Sequence, residues 1–433
     1  MRTDPTGATG APGQSPSRRR ISLRTVLVAG LAVLIGAVAV CGFLVYRLDS
    51  RITSVPITRA EGPKGPPGAQ NILVIGTDSR DSEENCKLGG ACGDTGPGNA
   101  DVEMVLHIAA NGRSASVMSV PRDTVTRLPA YTDPATGRTV AAHTGMINSA
   151  LQEGPGYQVA AVRALTGIPI DHFVMMDFAG TVRMSDAVGG VPVTVSADVY
   201  DPYSHLKLSK GTHVLKGVAA LQFLRSRHGF SDGSDLGRTG VQHIYLASLA
   251  RTLRAKSTLD NPAALYRIAD AAASGLTVDD GLGGVRPLLA LASDLKGIPA
   301  DSLTFTTMPT APDPQNANRV VPSAKAKQLF RALAEDLPPA GTAEGGTGGS
   351  GGSGGSTGST GSGGSTGSGS TGGSGSTGGS GSTRTATVPN RLLNGAEEAV
   401  AQVSRYRTVT LHGRAMTPSE AYAQSPDVPV SAP

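Results

Sequence analysis

Asn71-Ile-Leu-Val-Ile-Gly-Thr-Asp-Ser-Arg80 sets the frame for the rest of the chain. Its first half is an apolar, β-branched run halted by Gly76, the pattern of a strand buried on both faces. Its second half packs hydroxyls and charges at the strand's carboxyl end, where open α/β sheets build their ligand sites. Outward from it, Val102–Ile108 and Ser114–Val120 have the composition of two more strands, joined at the turn dipeptide Asn111-Gly112. The apolar spacing becomes helical between Asn148 and Leu165 and returns to strand at Phe173–Met176. It is helical again over Lys216–Leu224, Thr239–Lys256 and Asn261–Ala273. Leu303–Met308 supplies a late strand and Ala324–Leu337 a closing helix. Strands interleaved with helices predict an α/β layered domain around a mostly central sheet.

Before this domain, Leu27–Tyr46 runs 20 residues without a charge. At about 1.5 Å per residue that crosses a hydrocarbon core of about 30 Å, which predicts one transmembrane helix over residues 25–46. Arg18, Arg19, Arg20 and Arg24 precede it, and the positive-inside bias places residues 1–24 in the cytoplasm and everything after about Asp49 outside, although Arg47 and Arg51 follow the span. A cleaved signal peptide is the competing reading. The run is longer than an ordinary h-region, and no A-x-A site follows. Cys41 is preceded by Val40 where a lipoprotein site needs a small residue, so it is expected to be an apolar residue of the span. Residues 1–24 are expected to be disordered. Residues 47–70, with Pro56, Pro63, Pro66 and Pro67, are expected to be a spacer.

The 433 residues contain 58 glycines, and 21 of them fall between 341 and 383 among Ser and Thr. Such a stretch has almost no apolar surface to offset its ordering entropy, so residues 339–383 are expected to be a flexible linker. The domain then occupies 71–338. Residues 384–433 are expected to be a short, mostly disordered tail, with one amphipathic helix at most over Leu392–Val403. A net charge of +4 from 38 basic and 34 acidic residues, with no basic run interleaved with aromatics, excludes a nucleic-acid coat. Three cysteines without paired CxxC motifs, and no His cluster at ligand spacing, give no zinc or iron–sulfur signature. Outside the cell, Cys86 and Cys92 are candidates for a disulfide closing a small loop, with free thiols as the alternative.

The polar motifs cluster at strand ends. Gly76-Thr-Asp78-Ser-Arg80 follows the first strand, Asn99-Ala-Asp101 precedes the second, and Ser119-Val-Pro-Arg122-Asp123-Thr124 follows the third. Asp78 and Asp101 can converge as hard oxygen ligands for Mg²⁺ or Mn²⁺, an ion held by a few carboxylates together with substrate phosphate oxygens. A capping turn and a structural Arg–Asp pair are the bland readings of the same residues. Phe223-Leu-Arg225-Ser-Arg227-His228 and Ser234-Asp235-Leu-Gly237-Arg238, then Gln242, form the densest segment. Arg225 and Arg227 are expected on one face of an extended stretch, and Arg238 and Gln242 on one face of a helix. With Arg122 they would surround one pocket. Guanidinium forks match phosphate oxygens bidentately and stay charged, so arginines facing carboxylates point to a pyrophosphate site with a metal.

The set, in this order behind a single N-terminal span, resembles the LytR-CpsA-Psr family. The resemblance rests on Asn71–Arg80, Asn99–Ile108, Ser119–Thr124, Asn148-Ser149-Ala150, Asp186–Val191 and Arg225–Gln242. It implies a three-layer α-β-α sandwich with a central mixed sheet and an apolar groove for a polyprenyl tail. It also implies a membrane-anchored phosphotransferase that moves an anionic glycopolymer from a polyprenyl-pyrophosphate carrier to peptidoglycan, forming a phosphodiester. By the family motif Asp78 and Asp101 would hold Mg²⁺, and Arg122, Arg225, Arg227, Arg238 and Gln242 would contact the pyrophosphate. Arg80 and Asp235 fall in the same motifs. Two positions depart from the pattern: Asn99 and Val241 stand where the family commonly carries arginine. Asp123 and Asp235 are the candidates for a general base. A pyrophosphatase acting on the same lipid, and a non-catalytic wall-binding or regulatory protein, are the alternative functions.

Overall fold

A computed structural model of the chain describes residues 23–57, 65–89, 92, 98–338, 393–396 and 398–432. The expected disordered segment 1–24 lies almost entirely outside the described residues, as does the linker 339–383. The chain divides into two units, residues 1–50 and 51–433. The first holds helix α1, Leu23–Asp49, and within it Gly30–Asp49 is long and apolar enough to cross a membrane. That is consistent with a single-pass anchor.

The second unit is built on an eight-stranded sheet. Its strands are β1 Thr53–Val55, β2 Gln70–Thr77, β3 Ala100–Ile108, β4 Ala115–Ser119, β5 His172–Met176, β6 Leu276–Asp279, β7 Leu303–Thr307 and β8 Leu393–Asn394, in the spatial order β1-β6-β5-β2-β3-β4-β7-β8. β2 pairs antiparallel with β3 and parallel with β5, and β4 runs antiparallel to β3 and parallel to β7. The sheet is therefore mixed. Alternation along β2 divides the core: Leu73 and Ile75 join one cluster with α3 (Pro155–Thr166) and a late helix, Ala324–Ala334, while Ile72 joins another with Ala247, Leu291 and Leu295. These last three residues belong to Asp235–Arg254 and Val285–Gly297, so helices cover both faces of the sheet. This is the three-layer α-β-α arrangement that the family resemblance implied.

Further helices are α2 Glu83–Gly89, α4 Phe178–Ala187, α5 Gly217–Arg225, α6 Asp235–Arg254, α7 Pro262–Gly275, α8 Val285–Gly297 and α9 Ala324–Ala334. A second core, around strands Val191–Val195 and Gly211–Leu215, packs Phe223 and Phe230 against Val241 and Tyr245 of α6.

Three expectations are corrected. The helical spacing of Asn148–Leu165 is split: Ile147–Glu153 is a 3₁₀ helix, and Gly154 at φ 105° breaks it from α3. α5 reaches Arg225, so Arg225 leaves from a helix end and does not share an extended face with Arg227. Residues 393–396 and 398–432 are neither mostly disordered nor one helix. Over Leu392–Val403 the described residues form the short strands β8 and Val400–Ala401, and Pro418–Ala423 forms the helix α10. Periodicity missed this because each piece is too short to show a period and is ordered by its partners.

Candidate active site

The site forms where β2 and β4 end and β3 begins. Along β2 and β3 the register pairs Gly76 with Val102 and then Thr77 with Ala100, so Asp101 is the extra residue of a β-bulge. Bulges re-aim side chains beside active sites. Gly76 permits this one, because a Cβ there would meet Val102 Cβ at 2.9 Å. Opposite, Asp78 is held by the chain that leads into β3: its Oδ1 accepts from Asn99 N at 2.6 Å, and its own N donates to Asn99 O at 3.2 Å. Burial and the like charge of Asp101 raise the Asp78 carboxyl above its ordinary value against the opposing pull of Asn99 N, Arg80 and Arg122, burial being the largest effect.

Arginines converge on this pair of carboxylates. Arg122, in the turn after β4, donates through Nη1 to Asp101 Oδ1, and its Nε lies 3.6 Å from Asp123 Oδ1. Arg238, on the first turn of α6 and almost fully buried, donates from Nη2 to Asp101 O at 2.8 Å, and its Nη1 stands 3.9 Å from Asp101 Oδ2. Arg225 lies over the Phe178 ring at 4.7 Å and donates to Leu88 O at 3.1 Å. Burial depresses its guanidinium from the usual value, and it senses Asp101, Arg80 and Asp78 electrostatically. Arg80 places a buried Nε, without a hydrogen-bond partner among the described residues, against Gly89 of α2. Cys86 and Cys92 are joined in a disulfide, their Cα atoms 4.8 Å apart, at the end of the helix whose Leu88 carbonyl meets Arg225.

The structure thus brings together Asp78, Arg80, Asp101, Arg122, Arg225 and Arg238. Arg227 is half-buried in the loop after α5. Gln242 is one turn beyond Arg238, buried, with its amide directed at Leu224 O at 3.5 Å. The Asp235 side chain lies outside the described residues. Among the described residues no three His, Cys, Asp or Glu side chains converge. A pair of carboxylates facing an arginine cluster still fits Mg²⁺, which is ordinarily held by one or two carboxylates and completed by substrate phosphates.

The LytR_cpsA_psr family model matches residues 54–335. The chain belongs to this family. Among curated relatives, the cell wall biosynthesis protein LcpA of Corynebacterium glutamicum is 32% identical over 265 residues, 56% of this chain and 50% of that protein. The polyisoprenyl-teichoic acid–peptidoglycan teichoic acid transferase TagT of Bacillus subtilis is 25% identical over 220 residues, 48% of this chain and 62% of the relative. The chain therefore spans about half to three-fifths of the length of these relatives. The solved LytR-Csp2A-Psr enzyme from Actinomyces oris superposes with a TM-score of 0.52 at 23% identity, over 66% of this chain and 96% of that one, which shows a common fold.

The two departures from the LytR-CpsA-Psr pattern have structural explanations. Val241 is buried in the second core, turned into packing. Asn99 holds Asp78 through its backbone, and its side-chain oxygen accepts from Gln152 at 3.0 Å. Sequence reasoning missed Gly98, at φ 77°, where a Cβ would lie 2.5 Å from Ser79 N. It also missed Phe178 beneath Arg225 and the Leu88 carbonyl. No motif marks these residues, because a backbone carbonyl and a ring face leave no signature in composition.

Proposed function

We propose that this chain transfers an anionic glycopolymer from a polyprenyl-pyrophosphate carrier to peptidoglycan, with its domain outside the membrane and the N-terminus cytoplasmic. The convergence of Arg80, Arg122, Arg225 and Arg238 on the Asp78–Asp101 pair carries this reading. Four guanidiniums against two carboxylates leave a cationic pocket suited to a pyrophosphate.

A peptidoglycan hydroxyl attacks the phosphorus attached to the polymer, the bond to the bridging oxygen breaks, and polyprenyl phosphate leaves. The arginines hold the two phosphates and meet negative charge as it develops, in a setting already fixed by Asp101. Arg227 and Gln242 extend this grip. Mg²⁺ or Mn²⁺ held by Asp78 and Asp101 would neutralise phosphate charge. The hydroxyl's proton needs a base, for which Asp123, 3.6 Å from Arg122 Nε, and Asp235 are the candidates.

The test is product analysis. The purified chain, given polyprenyl-pyrophosphate-linked glycopolymer, should release polyprenyl phosphate and attach the polymer to peptidoglycan. Polymer ending in a free phosphate, formed at the same rate with and without peptidoglycan, would make the chain a pyrophosphatase instead.

A further inference from the structure

Residues 398–432 are stitched to the loop that follows α5, and this loop carries Arg227 and leads into Arg238. Phe230 and Val403 form an antiparallel bridge. Ser231 N donates to Gln402 O at 2.9 Å, and Ser404 N donates to Gly229 O at 3.0 Å. The Thr408 hydroxyl donates to the His228 carbonyl. The contact is tight: a Cβ on Gly233 would stand 2.6 Å from Thr408 Cγ2.

The loop has reason to need such a partner. Ser231 holds φ 54° and Gly233 φ 79°. A non-glycine residue in the left-handed region is strained, and it persists only where its surroundings over-determine it. From the domain side the loop is fixed by Ser226 Oγ donating to Asp201 Oδ2 at 2.7 Å and by Phe230 packed edge-on against Phe223. From the other side the backbone partners all come from residues 402–408.

The segment is firmly seated itself. Ala401 pairs with Val195, and Val403 N donates to Ser196 Oγ at 2.9 Å. The buried Lys207 ammonium donates to the carbonyls of Ser425 and Val428, the latter at 2.6 Å. A buried ammonium is costly without acceptors, so Lys207 ties the segment to the domain. Val409, Met416 and Ala421 form a small core with Tyr200.

We propose that residues 398–432 are a positioning element of the arginine site. They clamp the His228–Gly233 loop in its left-handed turn, and this sets Arg227 and the first turn of α6 that carries Arg238. Thr408 is a positioning residue, acting through the loop. The inference rests on the function proposed above, in which these arginines grip the pyrophosphate.

The experiment uses the full chain and measures kcat, KM and thermal unfolding for Thr408→Val, Thr408→Ser, Ser404→Pro, Arg227→Ala and the double variant Arg227→Ala/Thr408→Val. Small displacements of a positioned group are costly in rate, so Thr408→Val is expected to lower kcat about 10-fold. Its melting temperature should stay within about 3 °C of the wild type. Thr408→Ser, which keeps the hydroxyl, should restore the rate. In the Arg227→Ala background, Thr408→Val should cost clearly less than 10-fold, because only the part that acts through Arg238 remains. Wild-type kcat in both Thr408→Val and Ser404→Pro overturns the positioning role, as does a second full 10-fold loss in the double variant. Should Ser404→Pro not fold, Thr408→Val decides alone. Wild-type turnover in Arg227→Ala overturns the assignment of Arg227 to the pyrophosphate, and with it this positioning role. Impaired Arg227→Ala with wild-type Thr408→Val removes the positioning role and leaves that assignment standing.

Discussion

Gly98→Ala is expected to disable the site by moving Asp78, and the structure fixes the size of the effect. Gly98 has φ 77°, and an added Cβ would lie 2.5 Å from Ser79 N, 2.7 Å from Ser79 Cα and 2.9 Å from Asp78 Oδ1. The conformation alone costs an L-residue about 1–2 kcal/mol. Carbon contacts are comfortable at roughly 3.5–4 Å, so the Ser79 backbone must retreat by about 1 Å. Ser79 adjoins Asp78, whose two hydrogen bonds to Asn99 then stretch or break. Their loss adds about 2–3 kcal/mol, since one of them is to a charged group. For a domain of this size the total corresponds to a fall in melting temperature of roughly 5–15 °C. A displacement of about 1 Å at the site should lower turnover by roughly 10²-fold. Gly112→Ala is the control: Gly112 has φ 63° with nothing within 4 Å of the added Cβ, at the far end of the β3–β4 hairpin. It should show the conformational cost and full activity. If the two variants match in both melting temperature and turnover, crowding at Gly98 does not govern Asp78.

Arg122→Lys should lose most of the activity, roughly 10²-fold, because an ammonium cannot hold Asp101 and a phosphate oxygen with one fork; steady-state turnover of the folded variant checks this. A chelator should abolish turnover and Mg²⁺ or Mn²⁺ restore it, whereas Asp78→Asn should not respond to added metal; full activity in metal-free buffer would leave these carboxylates only the task of orienting arginines. His243 is fully buried beside Ser119 Oγ at 2.7 Å, and burial lowers its pKa from 6.5 to about 4. The folded state therefore binds this proton less readily than the unfolded chain, and the stability lost as pH falls from about 6.5 to about 4 is roughly 3 kcal/mol. Urea unfolding at pH 7 and pH 4 should show that loss, and His243→Gln should remove much of the difference.

The sheet was legible because β2, β3 and β4 are long enough to show their apolar pattern, and the turn at Asn111-Gly112 has its own chemistry. α6 was legible through Arg238 and Gln242 at a spacing of four. The Arg225–Arg227 stretch was not, since a helix ending at Arg225 and an extended Ser226 give the same local alternation as a strand. Of the site, residue types and order were readable. Their geometry was not, because it depends on the bulge at Asp101 and the close approach at Gly98, both consequences of register and backbone conformation. The C-terminal segment was misread for a related reason: its order comes from long-range partners such as Val195 and Lys207, more than 200 residues away in sequence.

Asp101 explains why so cationic a pocket is compatible with a stable fold. Arg122 and Arg238 are both largely buried, and unpaired guanidiniums there would repel each other and incur desolvation costs. The bulge turns one carboxylate inward to meet both, one through each oxygen, so the arginines are oriented before any ligand arrives. Asp78 remains less committed: it is held by one backbone N–H, and its carboxyl is raised by burial and by Asp101. Under the proposed function the two carboxylates would thus divide the work that the motifs assign to them as a pair. Asp101 organises the cations, and under the proposed function Asp78 would be the more available oxygen donor for a metal. A rate that falls with Asp101→Asn even at saturating Mg²⁺, set against a metal affinity that falls chiefly with Asp78→Asn, follows from that division. Equal effects of both substitutions on metal affinity would show that the two carboxylates act as one ligand set.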